Sequence, residues 1–459
     1  MAGTLVIGIK PLEWYISVWF ADGTNFYLLE STEMELEIVK KTPVRLLEKL
    51  YAVLMLFLMT RPLWQFMIVG GVDIQFLAVA GLYIVPLRFA LNRPGHFAWV
   101  GSRDKLLLFL VFLVLVSVVW STDPSSAAKA GLTLLGGAFF GIYLAMRFSL
   151  REQMQVMAWT LGIIAILSLI VIVASPALGT QTAAGKTVWV GLYEHKNGLG
   201  RFMTINAVLT WIMMKDSRRK WLSWGIIILS VIMVLMTRSA TSLVALIATL
   251  CLLPVYRVWR WRNARALPGY ILLGLLTGSI AIVFLTNLQY AGLDWFFDAL
   301  GRNLSRNTLQ IRLALWDVVL EKAQERPWLG FGYGNTSIYD SLDEIALVGS
   351  AWSPEQAHNG FLEIFLQLGL IGLAGMVCHV ILGFRRGITL ARLTKTNESL
   401  WVLAYLTVLL LFNLTYSVYL GQLTMPWSIY VALSLSVCFQ LAGKKPVLVS
   451  PTGDESIPA

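Results

Sequence analysis

The chain contains four histidines, and two of them open segments that look alike. His195 stands in EHKNGLG at 194–200, and His358 in AHNGFLE at 357–363. Each sets an imidazole beside Asn-Gly where an apolar run begins. An imidazole titrates near neutral pH and takes a proton, so His358 is a candidate base. A helix start offers free N–H groups and a partial positive charge, which favour an anion. Lys196, Asn197 and Asn359 complete the two segments. The plainer reading is that Asn197 or Asn359 caps its helix while the histidines bond at an interface. A second set is Arg201, one turn into the helix after His195, Arg238 in MTRSATS and Arg312 in RLALW. Guanidinium forks hold phosphate oxygens at two points. Their competing use is snorkelling to headgroups or pairing with a loop carboxylate, although Asp317 is badly spaced from Arg312 for a helix pair. The third feature is PWLGFGYGN at 327–335. Its glycines permit close backbone approach, and its plain reading is a tight turn. It lacks the strand–helix setting of a dinucleotide site. No metal-ligand spacing is visible, so neither a metal nor another cofactor is expected.

The elements that carry these residues are apolar. Of 459 residues 57% are hydrophobic and only 14% charged, with a mean hydropathy of +0.70. That excludes a soluble enzyme, a disordered tail protein and a disulfide scaffold. With 18 Trp, 22 Phe and 15 Tyr, the chain has the aromatic load of a protein seated at membrane–water boundaries. The net charge of +10 does not point to nucleic acid, because most Lys and Arg cluster in every second loop. The clusters run from Lys40, Lys41, Arg45 and Lys49, through Arg88–Lys105, Arg147 and Arg151, Lys215–Lys220, Arg257–Arg265 and Arg385–Lys395, to Lys444 and Lys445. This is the positive-inside pattern and places those loops in the cytoplasm. Cys251, Cys378 and Cys438 lie in apolar runs and read as small buried hydrophobes.

The fold class is therefore an all-α polytopic membrane protein with about twelve transmembrane helices and both termini in the cytoplasm. The spans fall near 47–62, 66–87, 104–120, 127–146, 152–174, 197–214, 220–237, 239–256, 268–287, 359–383, 399–418 and 425–442. The first two are interrupted by Arg61-Pro62 and Asp73. Residues 1–45 form a small cytoplasmic segment with a hairpin signal at Asp22-Gly23 and an acidic stretch at Glu30–Glu37. Residues 46–287 hold helices one to nine, 288–357 a large outer loop, 358–442 helices ten to twelve, and 443–459 a disordered tail. In the loop, Ile311, Leu315, Val318 and Val319 recur at helical spacing before the stop at Pro327, so it carries an amphipathic helix.

In this order the segments resemble the O-antigen ligases and Wzy-type polysaccharide polymerases, in particular the exopolysaccharide polymerase branch. GLYEHKNGLGRFM (191–203), LMTRSATSLVALI (235–247), RLALWDVVLEKAQERPWLGFGYGN (312–335) and AHNGFLEIFLQLGLIG (357–372) carry the resemblance. The last has His-Asn followed by Gly369-x-x-Gly372. The resemblance implies a metal-independent, inverting glycosyl transfer at the periplasmic face of the bacterial inner membrane. The donor would be an oligosaccharide on undecaprenyl diphosphate. His358 and Arg312 become the catalytic candidates. Arg201, Arg238, Lys196, His195, Asn197 and Asn359 become the donor-binding candidates. Implied partners are the bilayer and, within the same pathway, a chain-length regulator and a flippase. One departure stands out: Ala240 occupies a position where many members have a basic residue, with Arg238 two residues earlier. Two other readings stay open. One is ligation to a lipid A–core acceptor. The other is transport of a lipid-linked or anionic solute, which internal repeats and broken midplane helices would favour.

Overall fold

The computed structural model describes residues 17–19, 25–27, 46–62, 68–69, 72–183, 185–260, 306–335, 337–339 and 356–442. The expected acidic stretch, the helix at 268–287 and the tail lie outside these residues. The chain separates into two compact units, Met1–Leu46 and Leu47–Ala459. In the first, β1 (Ser17–Trp19) pairs antiparallel with β2 (Asn25–Tyr27), flanking the expected turn at Asp22-Gly23.

The second unit is helical. It begins with α1 (Leu46–Met59), followed by the ladder β3 (Ile68–Val69) and β4 (Val72–Asp73). Then come α2 (Ile74–Leu82), α3 (Ile84–Asn92), α4 (Pro94–Gly101), α5 (Lys105–Val116), α6 (Pro124–Arg147) and α7 (Leu150–Ala174). A hairpin of β5 (Thr180–Ala183) and β6 (Lys186–Trp189) leads to α8 (Lys196–Met213), α9 (Lys220–Met236) and α10 (Ala240–Trp259). The last elements are α11 (Arg306–Glu325), α12 (Gly360–Thr394), α13 (Asn397–Asn413) and α14 (Met425–Ala442). Six described stretches are long and apolar enough to cross a membrane: α2 with α3, α6, α7, α10, α12 and α14. Large apolar side chains such as Val119, Val173 and Trp221 are exposed along the bundle, as lipid-facing positions require. The chain is a multi-pass, predominantly helical membrane protein.

Several boundaries follow directly from local chemistry. Ser149 and Glu152 form a reciprocal capping box that starts α7. Asp123, with Pro124 behind it, caps α6. The expected helix at 66–87 is instead the β3–β4 ladder followed by helix from residue 74. Arg61 pairs with Asp73 at 3.0 Å, and Asp73 caps α2 through the N–H of Phe76, so the polar pair ends one element and starts the next. A second correction concerns the cysteines. Cys251 and Cys378 are exposed and Cys438 half-buried. A lipid-facing stripe has the same residue types as a core stripe, so the sequence pattern does not separate them.

Charge is gathered at one end of the bundle. There Arg260 donates to the Lys395 carbonyl at 3.2 Å, Arg392 to the Trp259 carbonyl at 3.4 Å, and Asn397 to Asp216 at 3.1 Å. These bonds bring the clusters after α8, α10 and α12 together. Nearby, a buried network joins three helices. Asp104, fully buried, accepts from His379 at 3.0 Å, Arg386 at 2.5 Å and Ser434 at 2.7 Å. Its other oxygen caps α5, and His379 bonds Tyr430 at 2.5 Å. A carboxylate only accepts, so His379 Nε2 carries the hydrogen. Removing one member of such a set strands buried charge. Asp104→Ala is expected to cost about 3–5 kcal/mol, read as a lower melting temperature of the detergent-solubilised protein. Breaking the exposed Lys322–Glu325 pair should cost under about 1 kcal/mol.

Candidate functional site

Three helices begin at the opposite end of the bundle, and the residues singled out in the sequence stand at their starts. α8 opens on His195, whose Nδ1 accepts the N–H of Asn197 at 3.2 Å. The cap is thus the histidine and not Asn197, a correction to the plainer reading of that segment. α10 opens on Ser239, directly after Arg238. α12 opens on Asn359, whose Oδ1 accepts from Phe361 at 3.0 Å and Leu362 at 3.4 Å. Asn359 is therefore a cap, directly after His358. Arg238 and His358 have φ of 48° and 50°. A left-handed backbone costs a non-glycine residue about 1–3 kcal/mol and collects at functional sites.

These starts are brought together by α13, which packs against α8, α10 and α12. Thr204 on α8 donates to the Ser242 carbonyl on α10 at 3.0 Å. Gly360 lies against the Asn413 amide, where a Cβ would overlap it. The Asn413 oxygen then accepts from Val418 at 3.1 Å and Tyr419 at 3.2 Å, which folds the turn after α13 back over the site. That turn carries Tyr416, and the Arg201 guanidinium sits 3.7 Å above its ring. Arg201 also donates to the Asn197 carbonyl at 3.2 Å.

The charges form one connected field. Partial desolvation, Lys196, Arg201 and Arg312 together push His195 below its usual range. Desolvation and then Arg238 push the Lys196 ammonium down. Burial, then Arg312, then His195 push His358 down to about 4. Arg201, with desolvation opposing it, lowers Tyr416, and Arg61 adds to the effect from a distance. Among the described residues, the ion pairs leave Lys196, Arg201 and Arg312 without a carboxylate. So Arg201, Arg238, Arg312, Lys196, His195 and His358 share one region, with Asn197 and Asn359 in its frame. A cluster of cations at three helix starts can attract a multiply charged anion.

The loop helix is fixed by a broken helix. α11 buries Leu315, Val319 and Ala323 against Phe365 and Leu366 of α12. Within α12, Gly369 has φ of 64° and interrupts the helical hydrogen bonds. The segment after α11 fills the gap with its main chain. Phe331 and Gly332 donate to the carbonyls of Leu366 and Gln367 at 3.0 and 2.9 Å. Leu370 and Ile371 donate to those of Pro327 and Trp328 at 2.7 and 3.3 Å. Groups freed by the break are thereby satisfied, as a dry interior demands. The same segment is tied to the end of α5 through Tyr333 to Ser117 at 3.0 Å and Trp120 to the Leu329 carbonyl at 2.9 Å. The expected turn at 327–335 is therefore a plug as well as a turn, and Gly330, Gly332 and Gly334 all have positive φ.

Residues 225–377 match the family model described as O-antigen ligase. Those 153 residues, a third of the chain, are similar to that family's domain. The matched stretch includes Arg238, Arg312, His358 and the plug. The exopolysaccharide production protein ExoQ of Rhizobium meliloti is 25% identical over 329 residues, covering 68% of this chain and 71% of that protein. A Rickettsia conorii protein bearing the provisional name polysaccharide ligase is 37% identical over 73 residues, 15% of this chain and 18% of its own length.

The sequence reading overlooked Arg61, Tyr416 and Glu363. Arg61, an arginine between two apolar runs, carried the signal already used for Arg201. Tyr416 carried none, because its role depends on where the turn after α13 lands. The plug yields a direct check. In Gly369→Ala the new methyl would overlap the Trp328 carbonyl, and the left-handed backbone adds about 1–3 kcal/mol. Thermal unfolding should show a large loss. Gly162→Ala, in mid-helix with nothing within 4 Å, should be neutral or stabilising by up to about 1 kcal/mol.

Proposed function

We propose that this chain polymerises undecaprenyl-diphosphate-linked repeat units of a bacterial exopolysaccharide or O-antigen by inverting glycosyl transfer. The site lies at the periplasmic face of the inner membrane, opposite the basic clusters, which by the positive-inside rule mark the cytoplasm. The observation that carries the proposal is the set of cations at the starts of α8, α10 and α12 and on α11, with Lys196, Arg201 and Arg312 left without a carboxylate among the described residues. Both relatives support a polysaccharide substrate through their names.

In this reading a hydroxyl of the acceptor glycan attacks the anomeric carbon of the donor glycan. The bond from that carbon to the diphosphate oxygen breaks, and the lipid diphosphate leaves with the electron pair. The hydroxyl proton passes to His358. Arg312 and Arg201 meet the charge that develops on the leaving diphosphate, with Lys196 and Arg238 behind them. Fixed cations in a partly desolvated site stabilise such charge far better than water does. Burial first, and then Arg312 and His195, keep the His358 imidazole neutral, which is the form a base must have. The polyprenyl tail lies along the apolar outer faces of the helices.

Ligation to a lipid A–core acceptor uses the same chemistry, and the family description favours it. Glycans that accumulate on deletion separate the two: single repeat units on the lipid carrier for a polymerase, full-length polymer on the carrier for a ligase. Transport receives less support. The one broken helix described, α12, has its gap closed by the 327–332 main chain instead of opening on a binding cavity.

Arg312→Ala and His358→Ala are each expected to abolish chain extension at normal membrane levels, leaving single units on the carrier. Long polymer in both strains would refute the site. Lys→Arg changes in the basic clusters should be silent. With the purified protein, kcat/KM should stay level from neutral pH downward and fall only as His358 takes its proton, near 4. A fall centred on the usual histidine range would contradict His358 as the base.

A further inference from the structure

Glu363 takes no part in the chemistry above, yet it is among the most closely bonded side chains of the site region. It lies one turn into α12 and is 8% exposed. Its Oε2 accepts from the Tyr339 hydroxyl at 2.7 Å and from the main-chain N–H of Ala357 at 2.7 Å. Its Oε1 accepts from the Gln367 amide at 2.5 Å, and Gln367 accepts the N–H of Gly334 in the plug at 3.1 Å. None of the ion pairs among the described residues includes Glu363. A carboxylate costs several kcal/mol to bury, and an apolar residue would pack this position more cheaply. Its use must lie in what it holds.

What it holds is Ala357, fully buried and next to His358. The other side of Ala357 is held as well, since its carbonyl accepts from Trp316 Nε1 at 2.9 Å. Trp316 lies one turn beyond Arg312 on α11. A single residue is therefore gripped by the helix that carries Arg312 and by the helix that follows His358. The φ of 50° at His358 is a conformation that persists only where neighbours impose it.

We propose that Glu363 is a positioning residue, which sets the spacing of Arg312 and His358 by clamping the main chain of Ala357. This rests on the reading that those two groups serve one reaction. Both the Tyr339 hydroxyl and the Ala357 N–H donate to one oxygen, which a glutamine could still supply. The discriminating change is therefore Glu363→Leu: it removes both oxygens at similar volume, and the clamp loosens. Among the described residues, the charged groups that lower His358 besides its burial are Arg312 from α11 and His195 from the start of α8. When Arg312 draws away, the imidazole titrates closer to its ordinary 6.5.

The test uses the full-length protein in detergent. Carbethoxylation of His358 by diethyl pyrocarbonate is followed against pH by mass spectrometry of its peptide. The wild type should react half-maximally near 4, and Glu363→Leu at a clearly higher pH. Turnover of lipid-linked oligosaccharide extracted from a deletion strain should fall in kcat by about 10- to 100-fold with KM little changed. Trp316→Phe, which frees only the carbonyl of Ala357, should move the titration in the same direction by less. If Glu363→Leu folds and both its titration and its kcat match the wild type, the clamp is refuted. If that variant does not fold, an unshifted titration in Trp316→Phe refutes it instead. Full turnover in His358→Ala would sink the proposed function, while the titration would still decide the clamp.

Discussion

Like charges do not gather in a half-dry site unless the fold compels them. At an effective dielectric of about 20, two unit charges a few ångströms apart repel by on the order of 2–4 kcal/mol. Here Lys196, Arg201, Arg238 and Arg312 crowd the starts of three helices, whose dipoles add partial positive charge of the same sign. The depressed ionisation of His195, Lys196 and His358 comes from desolvation first and from that crowding second. An anion relieves it, and the more negative the anion, the greater the relief.

The scaffold meets this repulsion with rigidity. α13 is the post against which the three helix starts are packed. The loop helix cannot swing away, because the segment behind it supplies main-chain hydrogen bonds to the break in α12. At the far end, Asp104, His379 and Arg386 fasten α12 to α5, with Ser434 and Tyr430 adding α14. α12 is thus held at both ends and in the middle. His358 and Arg312 inherit their positions from that helix and its neighbour.

Much of this was legible in the sequence. The last helix was expected at 425–442 and runs Met425–Ala442, because an apolar run between polar turns has few alternatives. Spacing showed that Leu315 and Val319 bury one face of the loop helix. The two His-Asn segments flagged helix starts. Spacing could not show which residue caps: His195 does so before α8, Asn359 before α12. Contacts between distant segments were illegible. Asp104 and His379 are separated by 275 positions, and nothing near either names the other. α12 runs to Thr394, past the expected end at residue 383. The charge that stops the apolar pattern there, Arg386, is a partner of Asp104 and no helix breaker. α13 stops at Asn413, short of residue 418, because the Asn413 side chain takes the N–H groups of Val418 and Tyr419.

The central claim is that the crowded cations hold a lipid-borne diphosphate. Native mass spectrometry of the purified protein with undecaprenyl diphosphate and undecaprenyl monophosphate tests it without any glycan or turnover. The account predicts that the diphosphate is retained in clear preference and that combined Arg201→Ala and Arg312→Ala substitution removes the preference. Equal retention of the two lipids, or a preference that survives loss of both guanidinium groups, would contradict it.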